Sequence, residues 1–451
     1  MGNAFFGALP DGSALFIKGE LLMKKIYKCI FMIVLSFTLI LTLAACNNES
    51  GNIPPQHTCL YTQKVIEDTY KASEPSCDRK AKFYYSCTCG AKGSEKFDGN
   101  YGEHNWINNT CSSCGANANL NYALNSDNDS YRVIGISNNC TDKDIVIAPS
   151  YNSLPVVNIG DYAFDNCVNF ESIVIPDGVT SIGYRSFYNC RNLKNISLPN
   201  SIVSISEGAF SGCLGLAYNT ENNIRYLGNS ENLYLYLESA IPQEMSGTVI
   251  INKDCKFISE NAFYGCSNLT KVEIPNSVIS IGKSAFVYCS KLSNAIFEED
   301  SQLTKISEEL FRSCDNLTEI SIPKGVTSIG KGSFENCGNL TKIEIPNSVI
   351  TIEESAFSHC YKLSNIIFEE NSLLTNIGFR SFYFCTSLTE FTMPITMKWI
   401  GGSAFDTCSK LTNINFNGTI IEWGKLSKSM SWSLYIPANY VQCIDGKVSI
   451  K

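Results

Sequence analysis

The stretch that decides the fold is Ile274–Asn294, IPNSVISIGKSAFVYCSKLSN; from Ile345, 71 positions further on, the chain reads IPNSVITIEESAFSHCYKLSN. The frame shared by these copies is wider than the two of them. A Phe-x-x-Cys step recurs with its cysteine at 167, 190, 213, 266, 289, 314, 337, 360, 385 and 408. Successive gaps are 23 residues, apart from two of 25 and one of 53. Most of these cysteines are followed by x-x-Leu-x-x-Ile-x-Ile-Pro, then by Val, Ile-Gly and Ala-Phe, with Ser333 in place of Ala ahead of Phe334. The alternation of Leu-x-x-Ile-x-Ile is that of a short strand with one buried face. The proline behind it cannot donate to a ladder and ends the strand. A unit of this size cannot bury its own apolar side, whereas stacked copies cover one another. The sequence therefore predicts a solenoid over 158–416, with one short parallel strand per 23-residue coil.

The exceptions to the period are local. Insertions in Phe297–Ser301 and Phe368–Ser372 lengthen two coils, placed so as to enlarge a loop and leave the sheet in register. Cys266–Asn336 matches Cys337–Thr407, so three coils are copied as a block. The long gap holds one coil and an insertion near 216–247. There Asn223–Gly228 and Leu233–Leu237 alternate like two strands joined at Asn229-Ser230. Tyr218, Tyr226, Tyr234 and Tyr236 gather in this hairpin, either as packing or as a binding patch. Residues 121–157 and 417–451, the latter with Trp423 and Trp432, suit caps over the ends of the array. The ten cysteines share one phase and form a column. Parallel side chains one coil apart disfavour a disulfide ladder, and a linear file makes no tetrahedral metal site. The column reads as buried small hydrophobes with a weak thiol donor.

The 451 residues carry a net charge of −8, which argues against nucleic acid as a partner. His57, His104 and His359 are the only histidines, which leaves little for histidine acid–base chemistry. No catalytic constellation stands apart from the repeats, and nothing in the solenoid calls for a small-molecule cofactor. Positions 1–22 read as an upstream extension. Met23-Lys24-Lys25 opens a basic stretch, and an apolar run from Phe31 to Ala45 follows, short for a membrane span and suited to a signal peptide. It ends in Leu43-Ala44-Ala45-Cys46, which resembles the lipobox of bacterial lipoproteins. That resemblance implies removal of 23–45, a lipid on Cys46, and a mature chain tethered to a membrane surface through the linker 46–56.

Residues 57–120 form a small Cys/His-rich β module. Cys111-Ser112-Ser113-Cys114-Gly115 is a knuckle that aims two thiolates at one point, and Cys87-Thr88-Cys89-Gly90 is a tighter version. Cys87, Cys89, Cys111 and Cys114 offer four ligands to a structural zinc, with His104 or Cys77 as substitutes. Two disulfides in a small exported domain, or free thiols, are the other readings.

The pattern I-P-x-x-V-x-x-I-G-x-x-A-F-x-x-C-x-x-L, sustained over about 140–420, resembles the BspA-type leucine-rich repeats of bacterial surface antigens and some protist surface proteins. The resemblance implies an α/β-class leucine-rich-repeat solenoid, curved, with its sheet on the concave side, and an activity of binding: adhesion to host matrix proteins or to other cells. Outward strand positions fall into two columns. One contains Lys271, Glu319, Lys342 and Glu390; the other contains Glu273, Ile296, Glu344 and Ile367. This face is the expected protein-binding surface, without the aromatic strip that stacks on sugars or bases. The expectation is a lipid-anchored protein of the cell membrane or cell surface that binds extracellular or host proteins and is not an enzyme. An enzyme or accessory module acting on extracellular glycans, and a passive envelope spacer, are the alternatives.

Overall fold

The computed structural model describes residues 60–86, 92–107, 110–114, 116–137 and 140–450. The upstream extension, the signal segment, Cys46 and its linker, and also Cys87 and Cys89, lie outside the described residues. The chain divides into two compact units, one ending at Gly102 and one running from Glu103 to Lys451. In the first, strands Lys71–Ser73, Lys80–Ser86 and Lys92–Tyr101 form an antiparallel sheet. Its core is small: Ala81, Phe83 and Phe97, with Tyr85 against them.

The second unit is a β-solenoid, and one coil shows how the repeat is spent. In strand Lys342–Ile345, Ile343 and Ile345 point inward while Lys342 and Glu344 face out. Pro346 closes a turn, its carbonyl accepting the Val349 N–H at 3.1 Å. Ser348 Oγ donates to the Val326 carbonyl of the preceding coil at 2.6 Å, which accounts for the serine of I-P-N-S-V. A second short strand follows, Thr351–Ile352. Both strands pair in parallel with the neighbouring coils, Lys342 opposite Asn365 and Ser328 opposite Thr351. Each coil thus contributes two strands where the sequence predicts one. The second is only two residues long, too short to leave an alternation in the sequence. Gly330, in the Ile-Gly step, marks how closely coils approach: an added Cβ would lie 2.6 Å from the Ile306 carbonyl oxygen.

The far side of the coil is made of turns. Among the described residues the α-helix is confined to Ile420–Lys425, in the C-terminal cap. The reason is conformational. The residue ahead of the column cysteine is left-handed throughout, as at Asn189, Asn336, His359, Phe384 and Thr407. So is the residue ahead of Ala-Phe or Ser-Phe, as at Arg185, Ser284, Ser355 and Arg380. Two such residues per coil break any helix and bend the chain sharply twice. Asn and Gly take the position readily; a β-branched residue such as Thr407 takes it at a cost.

Between these turns sits the phenylalanine of Phe-x-x-Cys. Its N–H donates to the next coil, Phe334 to the Ala356 carbonyl at 2.8 Å. Its carbonyl accepts twice: from the Cys337 N–H of its own coil at 3.1 Å, and from the Cys360 thiol of the next at 3.2 Å. The same thiol-to-carbonyl bond joins Cys190 to Phe164, Cys289 to Phe263 and Cys408 to Phe382. Burial pushes the Cys289 and Cys337 thiols well above their ordinary 9, which keeps these donors protonated. The rings stack nearly parallel from Phe263 to Phe405 with centroids 4.9–5.7 Å apart. At the C-terminal end Trp432 meets Phe405 edge-on and Trp423 packs on Phe416.

The first strand row is not continuous. Gly247–Ile250, Leu269–Ile274 and Asn294–Phe297 form one sheet; Glu319–Ser321, Lys342–Ile345 and Asn365–Phe368 form another; Glu390–Met393 and Asn413–Phe416 begin a third. Both later breaks fall at the lengthened coils, where the sequence predicts an undisturbed register. The inserted Glu-Glu explains the difference. It folds back on the preceding coil, Glu298 Oε2 accepting the Asn276 N–H and the Glu299 carbonyl the Asn276 side-chain amide, both near 3.2 Å. Glu369 and Glu370 hold Asn347 in the same way. The second row keeps its pairing across the later insertion, Thr351 opposite Asn376.

The insertion in the long gap is a three-stranded antiparallel ladder, Asn219–Glu221, Ile224–Leu227 and Tyr236–Ala240. Its last strand also pairs in parallel with Phe257–Ile258, so it serves as a strand of the second row. The additional strand turns at Asn222-Asn223, both left-handed. Tyr226 and Tyr236 are buried, and Tyr218 and Tyr234 pack against the core clusters, so this cluster is packing.

Three substitutions test this account by urea unfolding. Cys337→Ala removes a bridging donor and leaves a small cavity, and is expected to cost about 1–3 kcal/mol. The hydroxyls of Ser186, Ser333 and Ser381 are buried without a hydrogen-bond partner, so Ser333→Ala is expected to be stabilising by about 1 kcal/mol. Thr407→Gly should stabilise by roughly 0.5–1 kcal/mol by relieving the left-handed backbone.

Candidate functional site

The outward positions of the first strand row form a face whose side chains are set by strand register. Lys271 lies opposite Asn294, and Glu319, Lys342 and Asn365 follow one another in ladder order. One step along, Ile250, Glu273 and Ile296 are in register, as are Ser321, Glu344 and Ile367. The eight residues singled out from the sequence thus occupy two columns on one side of the unit, with Glu390 opposite Asn413 in the last sheet. Within a strand, Lys271 pairs with Glu273 and Lys342 with Glu344, each at 2.6 Å. Both pairs are part-exposed, so they neutralise and orient more than they stabilise. Ile296 and Ile367 stand out between them at 36% and 39% exposure. The sequence reading misses Ile250, which is 61% exposed in the same column; its phase relative to Glu273 was the available signal.

A depression of about 300 Å³ lies on this face where the sheet breaks. Asn294–Phe297 lines one side and Glu319–Ser321 the other, with Lys342 and Glu344 beyond. No ladder pairing joins these two strands among the described residues. The opening is therefore built by the two-residue insertion, which holds Glu298 and Glu299 to the preceding coil. It offers an apolar wall at Ile296 and Phe297, unpaired strand edges, and a cation and carboxylates at its far rim. A partner's apolar side chain with a flanking charge would meet complementary groups there.

Of the residues expected to hold a metal, His104, Cys111 and Cys114 come together in the second unit, with their ligand atoms within 4.8 Å of one another. Strands Trp106–Ile107 and Thr110–Cys111 form the hairpin that carries them, Trp106 opposite Cys111. The Ser112 N–H donates to the Asn105 carbonyl at 3.0 Å and folds the knuckle back on His104's neighbour. The His104 ring stacks on Trp106 at 4.8 Å. Cys77 belongs to the first unit, where it is buried.

The description "BspA type Leucine rich repeat region" matches six copies, over residues 157–236, 245–361 and 327–439. The chain belongs to this family. Members of the BspA-type repeat family are typically cell-surface binding or scaffold proteins. No curated protein matches the chain. Among solved structures, the leucine-rich repeat protein of T. pallidum is 19% identical, over 65% of this chain and 88% of its own, with a TM-score of 0.25. A leucine-rich cell surface protein of Faecalibacterium prausnitzii is 22% identical, over 69% of this chain and 97% of its own, with a TM-score of 0.26. The pneumococcal vaccine antigen PcpA is 18% identical, over 74% of this chain and 88% of its own, with a TM-score of 0.24. The assignment rests on the repeat match and not on these superpositions. No helix among the described residues is long and apolar enough to cross a membrane.

A second depression of this BspA-type solenoid, about 250 Å³, lies at the end of the long insertion and is lined by Glu238 and Glu260 among others. Burial, together with the neighbouring Glu207 carboxylate, raises Glu260 from its ordinary 4.5 to about 7, against the pull of Arg185 and Lys283. A carboxyl raised on folding stabilises most fully below its unfolded value and loses that contribution as pH climbs through the folded one. Glu260→Gln should therefore raise the thermal midpoint at about pH 8 and leave it nearly unchanged at about pH 4.5, read by thermal unfolding across that window.

Proposed function

We propose that this chain is a surface protein that binds other proteins through the first strand row, tethered to the membrane by lipid on Cys46 and used for adhesion to neighbouring or host cells. The observation that carries the reading is the face itself. Rigid strands present apolar Ile296 and Ile367 between fixed Lys–Glu pairs, and a depression opens beside Ile296. A preorganised solenoid face loses little conformational freedom on binding, so modest contacts yield useful affinity. The three-coil duplication supports the same reading, since Lys271, Glu273, Asn294 and Ile296 recur as Lys342, Glu344, Asn365 and Ile367. Partner proteins, more than sugars, suit a face whose outward columns carry isoleucine, Lys–Glu pairs and small polar groups, because no file of aromatic rings runs along those columns for sugars to stack on.

The test is a screen of extracellular and host-matrix proteins against the purified chain. Saturable binding is expected, and Ile296→Asp and Ile367→Asp should each weaken it by at least about tenfold, the effect of burying a charge in an apolar contact. Turnover or binding of glycans with no effect of either substitution would favour the glycan reading, and silence in both screens a passive spacer. The tether is tested separately: the native N-terminus should be an acylated Cys46, and Cys46→Ser should move the protein from the membrane fraction to the soluble one.

A further inference from the structure

We propose that His104, Cys111 and Cys114 hold a structural zinc ion, a site independent of the binding face. The decisive contact is on the far side of the imidazole. His104 Nε2 lies 2.8 Å from the Ser150 backbone carbonyl. A carbonyl can only accept, so Nε2 carries the proton. In the neutral ring Nδ1 is then the bare nitrogen, and it faces the Cys114 sulfur at 3.5 Å. Metal-ligating histidines are held in this way, with the other ring nitrogen donating to a carbonyl so that tautomer and orientation are fixed before the metal arrives.

The spacing agrees with the ion. Zinc–sulfur and zinc–nitrogen bonds of about 2.3 and 2.0–2.1 Å in a tetrahedron place the two ligand atoms about 3.6 Å apart, and the separation here is 3.5 Å. The Cys111 sulfur falls within 4.8 Å of both partners, a distance that a small rotation of the thiol closes on an ion. The scaffold is already fixed on its own backbone. Cys111 N–H donates to the Ala116 carbonyl at 2.9 Å, Ser112 N–H to Asn105, and Trp106 backs the imidazole. Two soft thiolates with one imidazole select zinc over magnesium or calcium. Sequence reasoning weighed His104 as a substitute ligand; the Ser150 contact makes it a primary one.

The experiment uses the full chain, purified anaerobically and exposed to zinc chloride before desalting. About one zinc per chain is expected by elemental analysis, with an X-ray absorption edge fitted by at least two sulfurs and one nitrogen. His104→Ala and Cys114→Ser should each lower the retained zinc at least about tenfold, the scale of losing one ligand or its orientation. Cys337→Ser, in the buried column, should leave it unchanged. In the loaded chain Cys111 and Cys114 should resist alkylation until a chelator is added, a readout independent of variant folding. Circular dichroism of the solenoid should be the same for all variants, so loss of zinc would not be loss of fold. No retained zinc, a Cys111–Cys114 disulfide in the anaerobic chain, or zinc indifferent to His104→Ala would each overturn the site.

Discussion

The structure depends on what one residue does for two coils. Within the two runs of coils either side of the long insertion, the phenylalanine of the Phe-x-x-Cys step donates its N–H forward, and its carbonyl takes both a backbone N–H from its own coil and a thiol from the next, as at Phe187 and Phe334. Among the described residues Phe210 and Phe405, the last of each run, accept no thiol. Buried carbonyls carry two lone pairs, and leaving either without a partner costs free energy. Here both are used, on the side of the coil where no β-ladder exists. Where both strand rows run on, ladders on two faces and this bond on the third attach a coil to its neighbour all round its perimeter; at the lengthened coils the first-row ladder is missing and this bond carries more of the attachment. The ring stack then fills the interior at van der Waals distance. A coil deprived of its neighbours would expose all of it at once, which is why stability in such arrays belongs to the interfaces between units.

Much of this architecture was legible. The 23-residue period, the inward Ile-x-Ile and the shared phase of the cysteines were enough for a parallel solenoid, because each is a strong periodic constraint repeated in many coils. The outward columns followed from phase alone, and the ladder pairs Lys271 with Asn294 and Glu344 with Ile367. What escaped was local and short. A two-residue second strand leaves no pattern. The left-handed positions are occupied by Asn, Gly, Ser, Tyr, His, Phe and Thr alike, so composition does not announce that turns replace a helix. The sheet breaks escaped because insertion length was visible while its anchoring to Asn276 and Asn347 was a matter of side-chain contacts in space.

The candidate sites divide in the same way. The outward face could be listed residue by residue from the repeat, yet the depression beside Ile296 depends on two strands being held apart. At the Cys/His knuckle the Cys-x-x-Cys-Gly step offered Cys111 and Cys114 as two candidate ligands, with disulfides and free thiols as the other readings. His104 is separated from it by a hairpin whose closure brings the imidazole back to the sulfurs, and its orientation comes from Ser150, 46 residues further along. Contacts of that range are invisible to spacing rules.

The thiol column has one more consequence, for the order of events in making the protein. A bridging S–H can be formed only while the sulfur keeps its hydrogen, and each sulfur is shielded once the next coil has closed over it. A cysteine oxidised on the nascent chain would arrive larger, more polar and without the donor that its slot requires. Stacking must therefore outrun oxidation, or take place where oxidants are scarce, and a finished solenoid would be chemically sealed except where its terminal turns fray.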